Sequence, residues 1–329
     1  MLPRGGDLPQ EKGSMRGFIL AAGFGTRLRP ITDHLPKALV PLAGKPLLAH
    51  AVDFLRSHAI APLAVNTHYL ADAITAFRTS TGESFEVFHE TPEIRGTGGA
   101  LDFARAFLGG DDTFIIINVD IVARFDLTEH ISSFLRSNDS CRLLAFPNSS
   151  GTGTVRYAAE TGDYLGTSAD TDCSDNASTA DFIGMTLYRR EFLSLVGPDD
   201  FSILPVWKRA VDRGMKVTVG CIDQGYWRDI GRPESLAQAH FDCIDGVLSI
   251  DMPSSQIIDR ERKISYPARW QAKEYEFGPY AWIEEPSFDP SLPIKRSVVF
   301  SGARPVASIG GEPVRSTLFT PWGTLPFNE

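Results

Sequence analysis

The stretch Phe18-Ile-Leu-Ala-Ala-Gly-Phe-Gly-Thr-Arg-Leu-Arg-Pro30 joins an apolar run directly to a glycine-rich turn. The apolar run predicts a buried strand over Phe18–Ala22. Gly23 and Gly25 let backbone N–H groups approach a phosphate closely, because glycine tolerates positive φ. The two arginines of the turn can add charge-assisted hydrogen bonds. A plain strand-to-helix turn with surface arginines explains the same residues, so this stretch alone leaves both interpretations open.

Two widespread nucleotide-binding patterns do not fit this turn. The third glycine of a dinucleotide-binding Gly-x-Gly-x-x-Gly motif would stand where the chain has Leu28. A P-loop is excluded as well, because no Gly-Lys-Ser/Thr follows. A dehydrogenase is therefore a distant alternative. Downstream, Pro36-Lys37 and Lys45-Pro46 place lysines in short, stiff turns, where an ammonium group can act as a point charge on a phosphate.

Beyond this turn, short apolar runs alternate with helical patterns. Strands are predicted at Leu63–Asn66, Phe85–His89, Thr113–Val119, Phe182–Tyr188 and Lys216–Ile222, and helices at Pro46–Ala59, Leu70–Arg78, Gly99–Leu108, Ile203–Arg213 and Pro233–Ile244. Residues Asn148–Asp181 are rich in Ser, Thr, Gly, Asp and Asn, which predicts loops and a short hairpin near Val155–Tyr157. The alternation predicts an α/β fold whose largely parallel sheet is covered on both faces.

The chain changes character near Gly246, where Pro-rich segments and short strand patterns begin. The segments Arg296-Ser-Val-Val-Phe-Ser-Gly and Arg315-Ser-Thr-Leu-Phe-Thr-Pro start 19 residues apart and echo each other. They predict two stacked β segments in a small β-rich appendage. We therefore expect a disordered tail at 1–14, with Met15 as an alternative start, a main domain at 15–245 and the appendage at 246–329.

Bulk properties exclude several classes of protein. The 329 residues contain no run that approaches the roughly 20 apolar residues of a membrane span. The net charge of −9 argues against a general nucleic-acid binder, although an anionic small substrate needs only a local cationic pocket. The four cysteines are widely spaced and form no CxxC pair, which is typical of a reduced cytoplasmic protein without structural zinc.

Two aspartates are candidate metal ligands. Asp120 follows the apolar strand Thr113–Val119, and ligands of open α/β sheets bind beyond the carboxyl ends of strands. Asp229 follows the strand Lys216–Ile222 and precedes Gly231. Carboxylates placed in this way can hold Mg²⁺ that bridges phosphate oxygens. The alternatives are a helix cap or turn role for Asp120 and a capping role for Asp229.

A second glycine-rich turn, Arg95-Gly-Thr-Gly-Gly-Ala100, enters a predicted helix. Backbone groups in such a turn can contact the edge of a nucleobase. The alternative is an ordinary helix N-terminus with Thr97 as its cap, which is compatible with a binding role.

Taken together, these motifs closely resemble the signature of the sugar-1-phosphate nucleotidylyltransferases. The match comprises Leu20-Ala-Ala-Gly-x-Gly-Thr-Arg-Leu-x-Pro-x-Thr32, Pro36-Lys37-x-Leu39-x-Pro41 and Lys45-Pro46. The resemblance implies a Rossmann-like, GT-A-like fold with a mixed, mostly parallel sheet and a main domain that is a nucleotidyltransferase domain. It also implies that the loop binds the triphosphate and that Arg27 and Lys37 are the catalytic residues, which stabilise charge during transfer.

The family also carries Asn-x-Asp and Trp-x-Asp-x-Gly motifs, which stand here as Asn118-Val-Asp120 and Trp227-Arg-Asp229-Ile-Gly231. The resemblance implies that the two aspartates share Mg²⁺. Family members more often have Gly or Ala at the position of Val119. A Gly-Thr-Gly-Gly-Ala loop surrounds the base notably in mannose- and heptose-1-phosphate guanylyltransferases. Muramic acid-1-phosphate uridylyltransferases are similar overall, with a slightly different loop.

The remaining site residues follow from the same resemblance. Nucleotide contacts are expected from Leu20, Ala21, Ala22, Gly23, Gly25, Thr26, Arg27, Lys37, Asn66, Gly96, Thr97, Gly98 and Asn118, and sugar contacts from Gly184 and Asp120. Asn66, His68 and Tyr69 resemble the family's Asn-x-His-Tyr segment, in which we expect His68 to be structural. Some relatives hold the sugar phosphate with the lysine of a Glu-Lys-Pro segment, which is missing between Cys141 and Asp181. Either Arg156 or another residue replaces it, or the chain belongs to a branch without it.

The expected activity is transfer of a nucleoside monophosphate from an NTP to a sugar 1-phosphate, with Mg²⁺ as cofactor. The base loop favours GTP with a mannose- or heptose-type sugar. The alternatives are UTP with an amino sugar and a non-catalytic nucleotide-sugar sensor of the same fold. We expect NTP and sugar 1-phosphate as partners, with neither nucleic acid nor membrane, and a homo-oligomer remains open. The echo in the appendage resembles a short remnant of the left-handed β-helix that some family members append.

Overall fold

The structure is a computed structural model that describes residues 15–148, 153–170, 177–270, 277–285, 287–288, 293–303 and 314–328. The tail predicted at 1–14 lies outside the described residues, as do residues 149–152 and 171–176 of the segment predicted as loops and a hairpin. No helix in the described ranges has the length and the apolar character that a membrane crossing requires.

The elements of residues 15–245 alternate along the chain as the sequence predicts. The strands are β1 Arg16–Leu20, β2 Pro41–Leu42, β3 Lys45–Pro46, β4 Leu63–Thr67, β5 Glu86–His89, β6 Thr113–Asn118, β7 Ile121–Arg124, β8 Cys141–Pro147, β9 Val155–Ala158, β10 Tyr164–Thr167, β11 Ala177–Arg189, β12 Val217–Cys221 and β13 Tyr226–Asp229. The helices are α1 Ile31–His34, α2 Leu47–Ser57, α3 Ala71–Thr81, α4 Gly96–Phe103, α5 Arg105–Leu108, α6 Thr128–Arg136, α7 Leu204–Asp212 and α8 Pro233–Asp245. Short 3₁₀ turns lie at Thr26–Leu28, Lys37–Leu39 and Arg190–Leu195.

In the described residues, the central layer is a mixed sheet of nine strands in the order β10-β9-β11-β6-β1-β4-β5, with β8 beside β11 and β12 beside β8. Strands β6, β1, β4 and β5 are parallel to one another, and β12 is parallel to β8. The long strand β11 runs antiparallel to each of its neighbours β6, β8 and β9. The parallel half therefore brings several strand ends to one edge, where the candidate site lies.

Helices cover both faces of this sheet because successive side chains of a strand point in opposite directions. Ile19 belongs to a buried cluster that contains residues of α2 and α3, such as Leu48 and Ile74. Its neighbour Phe18 belongs to a second cluster with Leu101 of α4 and Trp207 of α7. The predicted α/β class with a mixed sheet and helices on both faces is confirmed.

Several boundaries differ from the sequence prediction for local reasons. The helix predicted at Gly99–Leu108 starts three residues earlier and is divided at Ala104 into α4 and α5. The strand predicted at Phe182–Tyr188 is the end of the 13-residue β11, whose polar first half pairs with β9. The predicted hairpin is β9–β10. Strands β7, β8 and β13 and helix α6 were not predicted.

The appendage contains strands β14 Gln256–Asp259, β15 Ile264–Pro267, β16 Ala281–Ile283, β17 Ile294–Lys295, β18 Ser297–Val299, β19 Val314–Arg315, β20 Thr317–Thr320 and β21 Gly323–Pro326. Strands β15, β16, β18 and β20 pair in parallel in that order. A non-glycine residue with positive φ immediately precedes each of them, at Lys263, Tyr280, Arg296 and Ser316. The same backbone corner, a residue with positive φ, thus recurs before each of these four strands. In the described residues the four strands stack in parallel, and each of them is one rung of the appendage.

The two segments of the sequence echo contribute β18 and β20, which pair Val298 with Leu318. The predicted stacking is therefore present, although the paired residues are 20 apart and two further rungs precede them. One buried apolar cluster joins Phe241 of α8 to Trp282 and Leu318 of the rungs. The division of the chain at residue 246 and the handedness of the appendage remain predictions.

Candidate active site

Three predicted site residues lie side by side because of the parallel register. Leu20 ends β1 and pairs with Asn66 of β4 on one side and with Asn118 of β6 on the other. The backbone N–H of Ala21 donates to Oδ1 of Asn66 over 2.6 Å. Segments that are far apart in the sequence thus meet at the carboxyl edge of the sheet, where ligands of open α/β sheets bind.

A cavity of about 210 Å³ opens at this edge. Ten of the predicted site residues line it, namely Leu20, Ala21, Ala22, Gly23, Lys37, Asn66, Gly96, Thr97, Asn118 and Asp120. Ile94 and Val119 line it as well and were not among the predicted residues. Its walls therefore come from both glycine-rich turns and from the ends of β1, β4 and β6.

The first glycine-rich turn has the backbone freedom that the sequence predicts. Gly25 has φ +64°, and a Cβ atom there would meet Cγ2 of Thr32 at 2.9 Å and Cβ of Lys37 at 3.0 Å. The hydroxyl of Thr32 donates to the carbonyl of Gly25 over 2.8 Å, which closes the turn. A Cβ atom on Gly23 would meet nothing within 4 Å, so this glycine leaves open space beside the cavity.

The predicted charged residues converge next to this cavity, and two of them, Lys37 and Asp120, line it. The ammonium of Lys37 forms an ion pair with Asp120. A Cβ atom built on Gly231 would meet Oδ1 of Asp229 at 2.6 Å, Nη2 of Arg27 at 2.7 Å and Nζ of Lys37 at 3.2 Å. Two cations and two carboxylates therefore share one small space.

The two aspartates come together through backbone pairing. Strand β13 runs antiparallel to β7, with Asp229 opposite Ile121, and the N–H of Ile230 donates to the carbonyl of Asp120 over 2.7 Å. Loss of solvation and the negative charge of Asp120 raise the pKa of Asp229, while the charges of Lys37 and Arg27 act in the opposite direction. The pair therefore favours binding of positive charge.

The donor set fits a magnesium ion. Mg²⁺ prefers carboxylate oxygens and is commonly held by one or two carboxylates together with substrate phosphates and water. Asp120 and Asp229 supply two such carboxylates, and a bound cation would offset the loss of solvation and the negative charge of Asp120, which raise the pKa of Asp229. In the described part of the chain, no group of three or more His, Cys, Asp or Glu side chains forms a complete protein cage for a metal.

The second glycine-rich turn packs against residues 200–203 more tightly than the sequence indicates. A Cβ atom on Gly96, which has φ +70°, would lie 2.0 Å from the carbonyl oxygen of Phe201, and one on Gly98 would lie 2.2 Å from that of Asp200. Thr97 does not cap helix α4, as the alternative interpretation of this turn would require. Its hydroxyl instead accepts a hydrogen bond from the N–H of Ile203 over 2.9 Å.

A second cavity of about 260 Å³ adjoins the first and shares Leu20, Thr97 and Asn118 with it. Its remaining lining residues are Leu101, Ile116, Phe182, Gly184, Thr186, Tyr188, Ser202, Ile203, Leu204 and Trp207, none of which is charged. Gly184 has φ +70°, and a Cβ atom there would meet Nδ2 of Asn118 at 2.8 Å. Its lack of a side chain keeps this side of Asn118 open.

Other predicted residues lie outside both cavities. Neither cavity is lined by the predicted residues Gly25, Thr26, Arg27, Gly98 and Asp229. The guanidinium of Arg156, on β9, donates to the carbonyl of Asp170 over 3.3 Å. His68 donates from Nδ1 to the carbonyl of Glu90 over 2.9 Å, a backbone contact. Sequence reasoning missed Glu90, which is fully buried, accepts a hydrogen bond from the cavity residue Asn66 and gives no motif signal.

Comparison with known proteins places these features in context. A model described as nucleotidyl transferase matches residues 16–155. The N-acetylmuramate alpha-1-phosphate uridylyltransferase of Caulobacter vibrioides is 31% identical over 241 residues, which cover 68% of this chain and 94% of that protein. The mannose-1-phosphate guanyltransferase of Aspergillus fumigatus is 36% identical over 115 residues, which cover 34% of this chain and 32% of that protein.

Among solved structures, a putative glucose-1-phosphate thymidylyltransferase from Bacillus anthracis has a TM-score of 0.60 at 22% identity and covers 73% of this chain and 98% of its own. HddC from Yersinia pseudotuberculosis, complexed with GMP-PN, has a TM-score of 0.57 at 21% identity and covers 69% and 98%. Both structures share the fold of this chain over nearly their whole length, and each of them leaves more than a quarter of this chain uncovered.

Proposed function

This chain belongs to the sugar-1-phosphate nucleotidylyltransferases, and on that premise we propose that it transfers a nucleoside monophosphate from an NTP to a sugar 1-phosphate at the cavity between the two glycine-rich turns. The observation that carries this assignment is the convergence of Arg27, Lys37, Asp120 and Asp229 around Gly231. A triphosphate needs cations for its oxygens and carboxylates for its metal, and this arrangement supplies both.

The reaction follows from the charges of the site. An oxygen of the sugar 1-phosphate attacks the α-phosphorus of the NTP in line, a new P–O bond forms, and the bond to the bridging α,β-oxygen breaks. Pyrophosphate leaves with that electron pair. The attacking oxygen is already anionic, so no general base is required. Lys37 and Arg27 neutralise charge on the phosphates, and the turn at Gly23–Thr26 positions them.

We propose Asp120 and Asp229 as the holders of Mg²⁺. When bound, the ion supplies positive charge to the phosphate oxygens. The chain's own contribution is to keep two carboxylates adjacent by pairing β13 with β7. The ammonium of Lys37 pairs with Asp120 and would bind phosphate oxygens on the same side of the cavity.

We propose the second cavity, beside Gly184, as the site of the sugar. Its uncharged and largely apolar lining favours a sugar with an apolar substituent, while Thr97, Asn118, Thr186, Tyr188 and Ser202 can pair with the hydroxyl groups of the sugar. Together with the match to an N-acetylmuramate uridylyltransferase over 94% of that protein's length, this favours UTP with an amino sugar. GTP with mannose or heptose 1-phosphate is the second candidate, supported by 36% identity to a guanyltransferase across 115 residues.

Pyrophosphate release with a panel of NTPs and sugar 1-phosphates tests the assignment. We expect release with one preferred pair, and loss of at least about a hundredfold in kcat on Asp120→Ala, because electrostatic stabilisation is usually the largest catalytic contribution. Asp223→Ala, an exposed aspartate outside both cavities, is the matched control and should retain full activity. Absence of release with every pair would favour a non-catalytic sensor, and full activity of Asp120→Ala would refute the metal assignment.

A further inference from the structure

We infer that Glu90 is a positioning residue, which holds both walls of the nucleotide cavity and orients the amide of Asn66 toward the bound nucleotide. Glu90 follows β5, and its side chain is completely buried. Its Oε1 atom accepts a hydrogen bond from Nδ2 of Asn66 over 2.8 Å, and its Oε2 atom accepts one from the backbone N–H of Arg95 over 2.7 Å. This inference rests on the proposed function, because it assigns the cavity to the nucleotide.

Each oxygen of this carboxylate accepts a hydrogen bond from one wall of the cavity. The bond to Arg95 fixes the residue that precedes Gly96, and hence the start of the second glycine-rich turn. The bond to Asn66 continues to the first turn, because Oδ1 of Asn66 accepts from the N–H of Ala21 over 2.6 Å. One side chain therefore sets the distance between the two turns.

The same bonds determine which way the amide of Asn66 faces. The backbone N–H of Ala21 requires an acceptor and the carboxylate of Glu90 requires a donor, so the oxygen and the nitrogen of the amide cannot exchange places. An amide nitrogen has two hydrogens, and Glu90 engages one of them. Since Asn66 lines the cavity, its second N–H is available to a carbonyl or hydroxyl oxygen of the nucleotide.

The chemistry of Glu90 is difficult to explain by folding alone. No Lys or Arg side chain of the described ranges forms an ion pair with it, and the guanidinium of nearby Arg95 lies over the ring of Phe103, 4.4 Å from its centroid. A fully buried carboxylate that is bonded to neutral donors is costly to desolvate, whereas an apolar residue at this position would not be. A carboxylate is nevertheless the group that can accept from two donors at once.

Glu90→Gln tests this role with Glu93→Gln, an exposed neighbour on the same loop, as the control. Glutamine keeps one acceptor oxygen but places its NH₂ donor opposite the second N–H donor. One of the two hydrogen bonds that hold the walls is therefore lost. We expect the Kd of the preferred NTP, measured by calorimetry, to rise about tenfold, the order that a lost hydrogen bond to a charged group produces. The KM of the sugar 1-phosphate should change less than the Kd of the NTP, because Thr97 is the one residue of the second glycine-rich turn that lines the proposed sugar cavity.

A double variant, Asn66→Asp with Glu90→Gln, separates wall positioning from donor presentation. The swapped pair can make all three hydrogen bonds again. The new carboxylate at position 66 accepts from the N–H of Ala21 and from the new amide at position 90, and the oxygen of that amide accepts from the N–H of Arg95. The double variant presents a carboxylate to the nucleotide instead of an N–H. We therefore expect the thermal midpoint to return toward the wild-type value while the NTP affinity stays low.

Three outcomes would overturn the inference in an active wild-type enzyme. The first is an unchanged NTP affinity in Glu90→Gln, the second is an equal loss in Glu93→Gln, and the third is full recovery of affinity in the double variant. If Glu90→Gln does not fold, the double variant carries the test alone, because it retains all three bonds. A wild-type protein that releases no pyrophosphate with any substrate pair contradicts the proposed function instead.

Discussion

The imidazole ring of His34 stacks on the indole ring of Trp322, with the centroids 5.3 Å apart and the planes inclined by 11°. His34 ends helix α1, which directly follows the turn that carries Arg27, while Trp322 lies between the last two strands of the appendage. Gly323, the next residue, faces Pro30, whose Cγ atom would lie 3.7 Å from a Cβ atom there. The last rung of the appendage therefore contacts the segment that carries a proposed catalytic arginine.

Trp322→Ala should weaken NTP binding although the residue is remote from both cavities. An aromatic pair contributes about 0.5–1.5 kcal/mol beyond its buried area, so we expect the KM of the NTP to rise roughly two- to tenfold. Trp322→Phe should stay close to wild type because it keeps a stacking ring. Steady-state kinetics of both variants, with the thermal midpoint as a check of folding, measure the effect. Identical kinetic constants for Trp322→Ala and wild type would show that the appendage does not position the turn.

The contact region between helix α8 and the appendage also contains a titrating group, Glu284. Its burial raises its pKa from the usual 4.5 to about 7, although it accepts hydrogen bonds from the indole N–H of Trp282 and from the backbone N–H groups of Ser301 and Gly44. The folded state thus binds this proton more tightly than the unfolded state. The stabilisation is fully present below about pH 4.5 and is lost as the pH rises through about 7.

We therefore expect the wild-type protein to lose on the order of 3 kcal/mol of unfolding free energy between acidic and mildly alkaline pH through this group, since one pKa unit corresponds to about 1.4 kcal/mol. Glu284→Gln removes the titration and should show a smaller decrease over the same range. Denaturant titrations of both proteins at a series of pH values measure the difference. Parallel curves for the two proteins would exclude Glu284 as the cause.

Most of the first cavity could be predicted from the sequence because each segment that lines it is a short motif with a recognisable local pattern. A strand that runs into glycines predicts its own turn, and the parallel arrangement inferred from alternating strands and helices places Leu20, Asn66 and Asn118 at one edge. The contacts of Gly96 and Gly98 with residues 200–201 could not be predicted, because those segments are about a hundred residues apart and only the fold brings them together. The capping role that was the alternative for Thr97 is excluded by a contact of the same kind, because its hydroxyl accepts from Ile203 on a distant segment.

Glu90 could not be predicted from the sequence for a different reason. A single glutamate at the end of a strand has no neighbours in the sequence that reveal its burial, and its two partners lie on a strand before it and a turn after it. The first two rungs of the appendage, β15 and β16, were equally hidden. The segments that form β15 and β16 do not repeat the residues of the echo, although their corners share its positive φ values at Lys263 and Tyr280. Backbone geometry repeats there without repetition of the sequence.

The two lysines of the signature, which look equivalent in the sequence, should differ sharply in function. The ammonium of Lys37 pairs with Asp120 inside the first cavity, where the side chains of the two residues are 13% and 15% exposed. The ammonium of Lys45 pairs with Asp53 of α2, and Lys45 lines neither of the two substrate cavities. Lys37→Met should therefore lower kcat by about a hundredfold or more, because a charge aimed at the phosphates is lost. Lys45→Met should cost less than about fivefold, since a half-exposed ion pair contributes little. Pyrophosphate release at saturating NTP and Mg²⁺ measures both, and equal losses would show that Lys45 reaches the substrate through a rearrangement of the β2–β3 hairpin.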